Sequence, residues 1–77
     1  MNAEIKQLQD EASVTLEGIE FQQERIKWLK GWKQKIIDLG GEIFTGHVSE
    51  GIAKAEKTLE ALKDHYKRQI NAINNKL

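Results

Sequence analysis

No cysteine and no proline occur in this chain of 77 residues. The first absence excludes disulfides and thiolate metal sites, which are the usual staples of small secreted domains. The second leaves helices free to run without an imposed kink or stop. Long apolar runs are missing as well, so no stretch approaches the length of a membrane span, and the start of the chain, Met1-Asn2-Ala3-Glu4, has no basic segment followed by an apolar one. The expectation is a cytoplasmic protein without a membrane partner. Twelve basic and twelve acidic residues balance to a formal net charge of zero, which removes any global field toward nucleic acid or anionic lipid.

What is present is periodic. Phe44, Val48, Ile52, Ala55, Leu59, Leu62, Tyr66, Ile70, Ile73 and Leu77 follow one another at spacings of three or four residues, the signature of one helix with one apolar face. A matching stripe runs through the first half as Ile5, Leu8, Ala12, Leu16, Ile19, Ile26 and Leu29. Gly40 and Gly41 form the only glycine doublet and directly follow Ile36, Ile37 and Leu39, where a left-handed residue can close a helix. These signals predict an all-α antiparallel two-helix hairpin in a single domain over residues 1–77. Helix one spans about 3–39, the turn 40–41 and helix two about 42–75, with Thr45 or Ser49 as alternative hydroxyl N-caps for helix two. Gly18 lies inside helix one and leaves room for a kink, but the stripe continues through it without an offset. A strand from Val14 to Phe21 is the competing reading. Its apolar residues do not keep period two, and no partner strand is visible.

The register of the hairpin follows from pairing positions whose numbers sum to about 81. Leu29 then meets Ile52, Ile26 meets Ala55, Ile19 meets Leu62, Leu16 meets Tyr66, Ala12 meets Ile70, Leu8 meets Ile73 and Ile5 meets Leu77, with small residues facing large ones in two layers. Gln22 opposite Leu59 and Lys33 opposite Val48 are the weak layers. Charge provides an independent check, because residues 1–23, 24–39, 40–60 and 61–77 carry −4, +3, −2 and +3. Folding back at the glycine doublet sets opposite signs beside each other in both halves. Glu4 is expected near Lys76, Glu17 near Lys63, Glu24 near Lys57 and Arg25 near Glu56. Exposed pairs of this kind choose orientation more than they add stability.

A second stripe gives the best candidate for function. Val14, Phe21, Trp28, Trp32 and Leu39 fall within a sector of about 40° at about 100° per residue, nearly opposite the hairpin stripe, and Arg25 and Lys35 flank it. A chain this short gains little from one two-helix seam, so the stripe is expected to form the core of a homo-oligomer such as a four-helix bundle. The competing use is a docking surface for a different protein, since tryptophan and arginine are favoured at binding hot spots. Both uses are compatible. Nucleic acid is the third partner class, from the basic run Arg25, Lys27, Lys30, Lys33 and Lys35 interleaved with the tryptophans. Those five charges spread around the helix and lie near acidic residues of helix two, which counts against a phosphate-binding groove.

Catalytic and cofactor signals are weak. His47 and Glu50 lie one turn apart and Asp64 precedes His65, yet neither pair brings the several converging groups that a metal or general-base site needs. The glycines from Gly40 to Gly51 lack the lysine and hydroxyl of a phosphate loop. Ser13, Thr15, Thr45 and Ser49 have no base and orienting acid at a recognisable spacing. The chain therefore reads as a non-enzymatic helical interaction module without a cofactor, an inhibitor or accessory regulator working as a homo-oligomer. The alternative is an RNA- or DNA-binding hairpin dimer. A weaker one is an oligomer enclosing a small anionic ligand.

Overall fold

The structure, a computed structural model, describes residues 3–77 apart from the side chain of Phe44. An α-helix over Ala3–Asp38 (α1) is followed by a single 3₁₀ turn over Glu42–Phe44 and a second α-helix over Gly46–Lys76 (α2). The helices pack against each other as an antiparallel hairpin, and the two-helix reading of the sequence holds. α1 stays one continuous helix through Gly18.

The turn is built by the glycine doublet. Gly40 adopts φ +80°, and its N–H donates to Ile37 O at 2.9 Å while Gly41 N–H donates to Ile36 O at 2.9 Å. These two bonds are the Schellman arrangement, which satisfies carbonyls that the end of α1 leaves open. Helix two begins later than the sequence suggests, at Gly46 instead of Glu42. Its first bond runs from Ser49 N–H to Thr45 O at 2.9 Å. Thr45 does occupy the N-cap position, but its hydroxyl donates to Glu42 O at 2.7 Å and does not cap the helix. The hydroxyl is used to hold the 3₁₀ turn.

The core is one narrow seam. Ala12, Thr15, Ile19 and Ile26 are buried from α1, and Ile52, Ala55 and Ile73 from α2, while no described side chain is completely enclosed. Half-buried Ile5, Leu8, Gln22, Leu29, Lys33 and Ile36 extend the α1 row, and Val48, Leu59, Leu62, Tyr66 and Gln69 the α2 row. Both rows advance by alternating steps of three and four, the spacing of two helices packed knobs into holes. The expected register is supported by contacts. A Cβ placed on Gly18 would lie 3.6 Å from a Leu62 methyl, and one on Gly51 would lie 3.8 Å from a Leu29 methyl.

Three expected layers are corrected. Leu16 is 39% exposed, and Thr15 takes the inward position because the three-four spacing passes from Ala12 through Thr15 to Ile19. The buried Thr15 hydroxyl is satisfied by Glu11 O at 3.2 Å. At the next layer Gln69 shares the inward position expected of Ile70, and both are half-buried. Leu16, Tyr66 and Ile70 line an open depression of about 260 Å³ at the lip of the seam together with Ala12. Leu77 lies beyond the last turn of α2 and is 84% exposed, so it closes no layer with Ile5. The Phe44 layer falls outside the described side chains.

Polar groups in this seam limit its strength. The Oε1 atom of Gln69 is buried and has no hydrogen-bond partner among the described residues. An unsatisfied buried acceptor costs about 1–3 kcal/mol. Gln69→Leu is accordingly expected to raise the stability of the hairpin by about 1–2 kcal/mol, read as a higher melting midpoint by circular dichroism at a fixed protein concentration. An unchanged or lowered midpoint would show that the amide is satisfied in solution.

Of the expected ion pairs, Lys76–Glu4 forms at 2.7 Å. Glu56 is engaged by Lys30 at 4.0 Å and not by Arg25, because Lys30 reaches the α2 flank that Glu56 occupies. Glu17 with Lys63 and Glu24 with Lys57 do not close to ion-pair distance among the described residues. All these groups are exposed, where screening by water leaves little to gain from holding long side chains together. The hairpin measures 60 × 15 × 13 Å, with a radius of gyration of 17.5 Å. A compact chain of this length would have about 11–12 Å. Among the described residues no segment folds back over the outer surface of either helix.

Candidate functional site

The aromatic stripe lies on the side of α1 turned away from α2. Phe21 is 63% and Trp28 64% exposed, Trp32 is 48% exposed, and Val14 and Leu39 are also exposed. Large apolar side chains scattered singly over a surface need no explanation, whereas a row of them on one helix face makes that face a candidate interaction surface. Here the row is ordered. The Trp28 and Trp32 rings stack with centroids 6.1 Å apart and planes 5° from parallel. Residues four apart on a helix are neighbours on one face, which is why this spacing lets two indoles stack.

Beside the stacked rings runs an open groove of about 410 Å³, lined by Glu24, Lys27, Trp28, Gly31, Trp32 and Lys35. The structure thus brings Trp28, Trp32 and Lys35 together. Arg25 is placed on the opposite flank, lining a separate depression with Gln22, Lys54 and Thr58. Leu39 follows the last residue of α1 and is 88% exposed at the turn. Ile43, 87% exposed in the 3₁₀ turn, adds an apolar group there that no periodicity signals.

Glu24 and Gly31 are members of the groove that the stripe pattern alone does not reveal. A Cβ on Gly31 would meet nothing within 4 Å. This glycine makes a notch beside Trp28 and is not needed for close packing on α2. Its signal in the sequence was a helix-interior glycine, costly by about 1 kcal/mol relative to alanine, with no layer partner across the hairpin. Glu24 brings a carboxylate into a groove otherwise flanked by Lys27 and Lys35, so the surface around the indoles carries both signs.

Among the described residues no three His, Asp or Glu side chains come together in a way that would hold a metal ion, and no helix is long and apolar enough to cross a membrane. His47, Glu50, Asp64 and His65 are all exposed. Comparison with protein families, with curated proteins and with solved structures finds no match to this chain. The physical character of the aromatic face is therefore the ground for a functional reading.

Proposed function

We propose that the protein is a non-enzymatic helical interaction module, an inhibitor or accessory regulator acting as a homo-oligomer, and that the aromatic face of α1 is its binding surface. One observation carries the reading: stacked Trp28 and Trp32, with Phe21 one turn-pair away, stand exposed on a helix whose other face is already committed to α2. Water-facing indoles in a row are costly, and covering them with a partner recovers that cost. Lys35 and Arg25 on the two flanks would steer encounter more than add affinity.

The second reading is nucleic-acid binding, favoured by Lys27 and Lys35 bordering the indoles. Glu24 within the same groove and Glu56 beside Lys30 oppose phosphate, which supports the protein-binding reading over it. The two are separated by capture from a host lysate on immobilised protein, with and without nuclease, using wild type and a Trp28→Ala/Trp32→Ala variant. The expected result is nuclease-resistant capture that the variant loses. Capture abolished by nuclease would establish the nucleic-acid reading, and capture retained by the variant would overturn the assignment of this face.

A further inference from the structure

We infer that the aromatic face of α1 is covered by the same face of a second copy of this chain, running antiparallel about a two-fold axis that passes between Ile26 and Lys27. This rests on the reading of the face as a binding surface and names its occupant. The face comprises Val14, Phe21, Arg25, Trp28, Trp32, Lys35 and Leu39, which together with Gly18, at the edge toward α2, advance by alternating steps of four and three residues. That spacing is the seam of a coiled coil. The identities along it match when the row is reversed. A two-fold between residues 26 and 27 sets Val14 opposite the partner's Leu39, Phe21 opposite the partner's Trp32 and Arg25 opposite the partner's Trp28. Aliphatic ends then meet aliphatic ends and ring meets ring, while Arg25, which lines the flank toward α2, lies level with the partner's Trp28.

Charge selects the direction. Residues 1–23 carry −4 and residues 24–39 carry +3, so an antiparallel copy places the acidic half of each α1 beside the basic half of the other. A parallel copy would set like against like along the whole interface, which is destabilising. Glu17 and Lys35 lie on the same edge of the face and make no ion pair within the chain among the described residues; the two-fold brings each beside the other's counterpart. Area also favours a whole helix face as occupant. Six rings in two copies, each contributing roughly 100 Å² still open to water, supply about 600 Å². The aliphatic ends and the Lys and Arg stems then bring the total toward the roughly 1,200 Å² at which stable interfaces begin. The four-helix assembly so formed has the two α1 helices inside and the two α2 helices outside, and it buries both faces of α1.

The absence of native cysteine permits single-site spin labelling at exposed Ser13→Cys and Lys27→Cys. At about 1.5 Å rise per residue, the antiparallel two-fold separates the Ser13 labels by roughly 40 Å along the axis, while the Lys27 labels lie almost level with each other. A long Ser13 distance with a short Lys27 distance is the expected result. Two short distances would mean a parallel pair and overturn the inference. No dipolar coupling, together with a monomer by sedimentation equilibrium at tens of micromolar, would overturn the second copy as occupant. The binding-surface reading would survive that outcome if lysate capture still depended on Trp28 and Trp32. A charge exchange keeps the register testable without touching the rings. Glu17→Lys should weaken dimerisation several-fold at low salt, and Glu17→Lys combined with Lys35→Glu should restore it, since each altered residue meets the other across the axis. Failure of the double variant to recover would overturn this register.

Discussion

Ile19→Ala is expected to lower the stability of the hairpin by about 2–5 kcal/mol, the range for removing a buried isoleucine and leaving a cavity. Ile19 is 6% exposed and sits in the layer of Leu62, midway along the seam, where there is no loop to collapse into the space. Leu62 is the residue that the sequence pairs with Ile19 in that layer. It is only half-buried, because its methyls lie over Gly18 at the edge of the seam, so Leu62→Ala should cost less than Ile19→Ala. With a core of four isoleucines, two alanines and a threonine, a loss of this size consumes much of what holds the hairpin closed. Chemical or thermal denaturation followed by circular dichroism checks it at one fixed concentration. Equal midpoints for wild type and Ile19→Ala would contradict the seam described here.

The other large effect belongs to the outer face. Trp28→Ala/Trp32→Ala should reduce self-association by at least about 100-fold, since truncating a central aromatic anchor commonly costs about 2 kcal/mol or more. Association that accompanies folding makes stability depend on concentration. The wild-type melting midpoint should therefore climb over a hundred-fold range of protein concentration, while that of the double variant stays flat. Sedimentation equilibrium on the same samples gives the assembly size directly. A variant that associates as tightly as wild type would mean that the stacked indoles lie outside the contact. Truncation at these two positions removes no seam contact with α2, since both side chains face away from it, so the comparison tests the outer surface.

Much of the hairpin was legible because it is written in spacing. Apolar residues three and four apart fix which face of each helix is inward, and Gly40-Gly41 after an apolar cluster fixes where the chain reverses. The errors lie where composition and position disagree. Leu16 is apolar and Thr15 is not, yet the geometric row runs through Thr15, whose hydroxyl can be satisfied by the preceding turn of its own helix. Gln69 and Ile70 are the same case on α2, with no such satisfaction for the amide oxygen. A pattern read by hydrophobicity follows the leucine and the isoleucine, while packing follows the three-four step. Ion pairs were less legible than layers. A lysine on a four-carbon stem can reach several acidic neighbours at little difference in energy, as Lys30 does with Glu56 where Arg25 was expected. In the site, the rings and flanking cations could be located from angular position alone, but the notch at Gly31 is a property of surface shape and appears only once the side chains are in place.

The Schellman turn at Gly40 and the single seam leading away from it also fix an order of events. Lys33 and Val48, beside the turn, are separated by fifteen residues, whereas Leu8 and Ile73 near the open end are separated by sixty-five. Closing the first layer costs the least chain entropy, and each layer already closed shortens the effective loop for the next. The hairpin therefore zips from the turn outward and opens in the reverse sense, with Glu4 and Lys76 the first to part. Amide protons near the open end are expected to exchange through this fraying without global unfolding. Those around Ile26 and Ile52, in layers nearer the turn than the open end, are expected to exchange only when the whole ladder is lost.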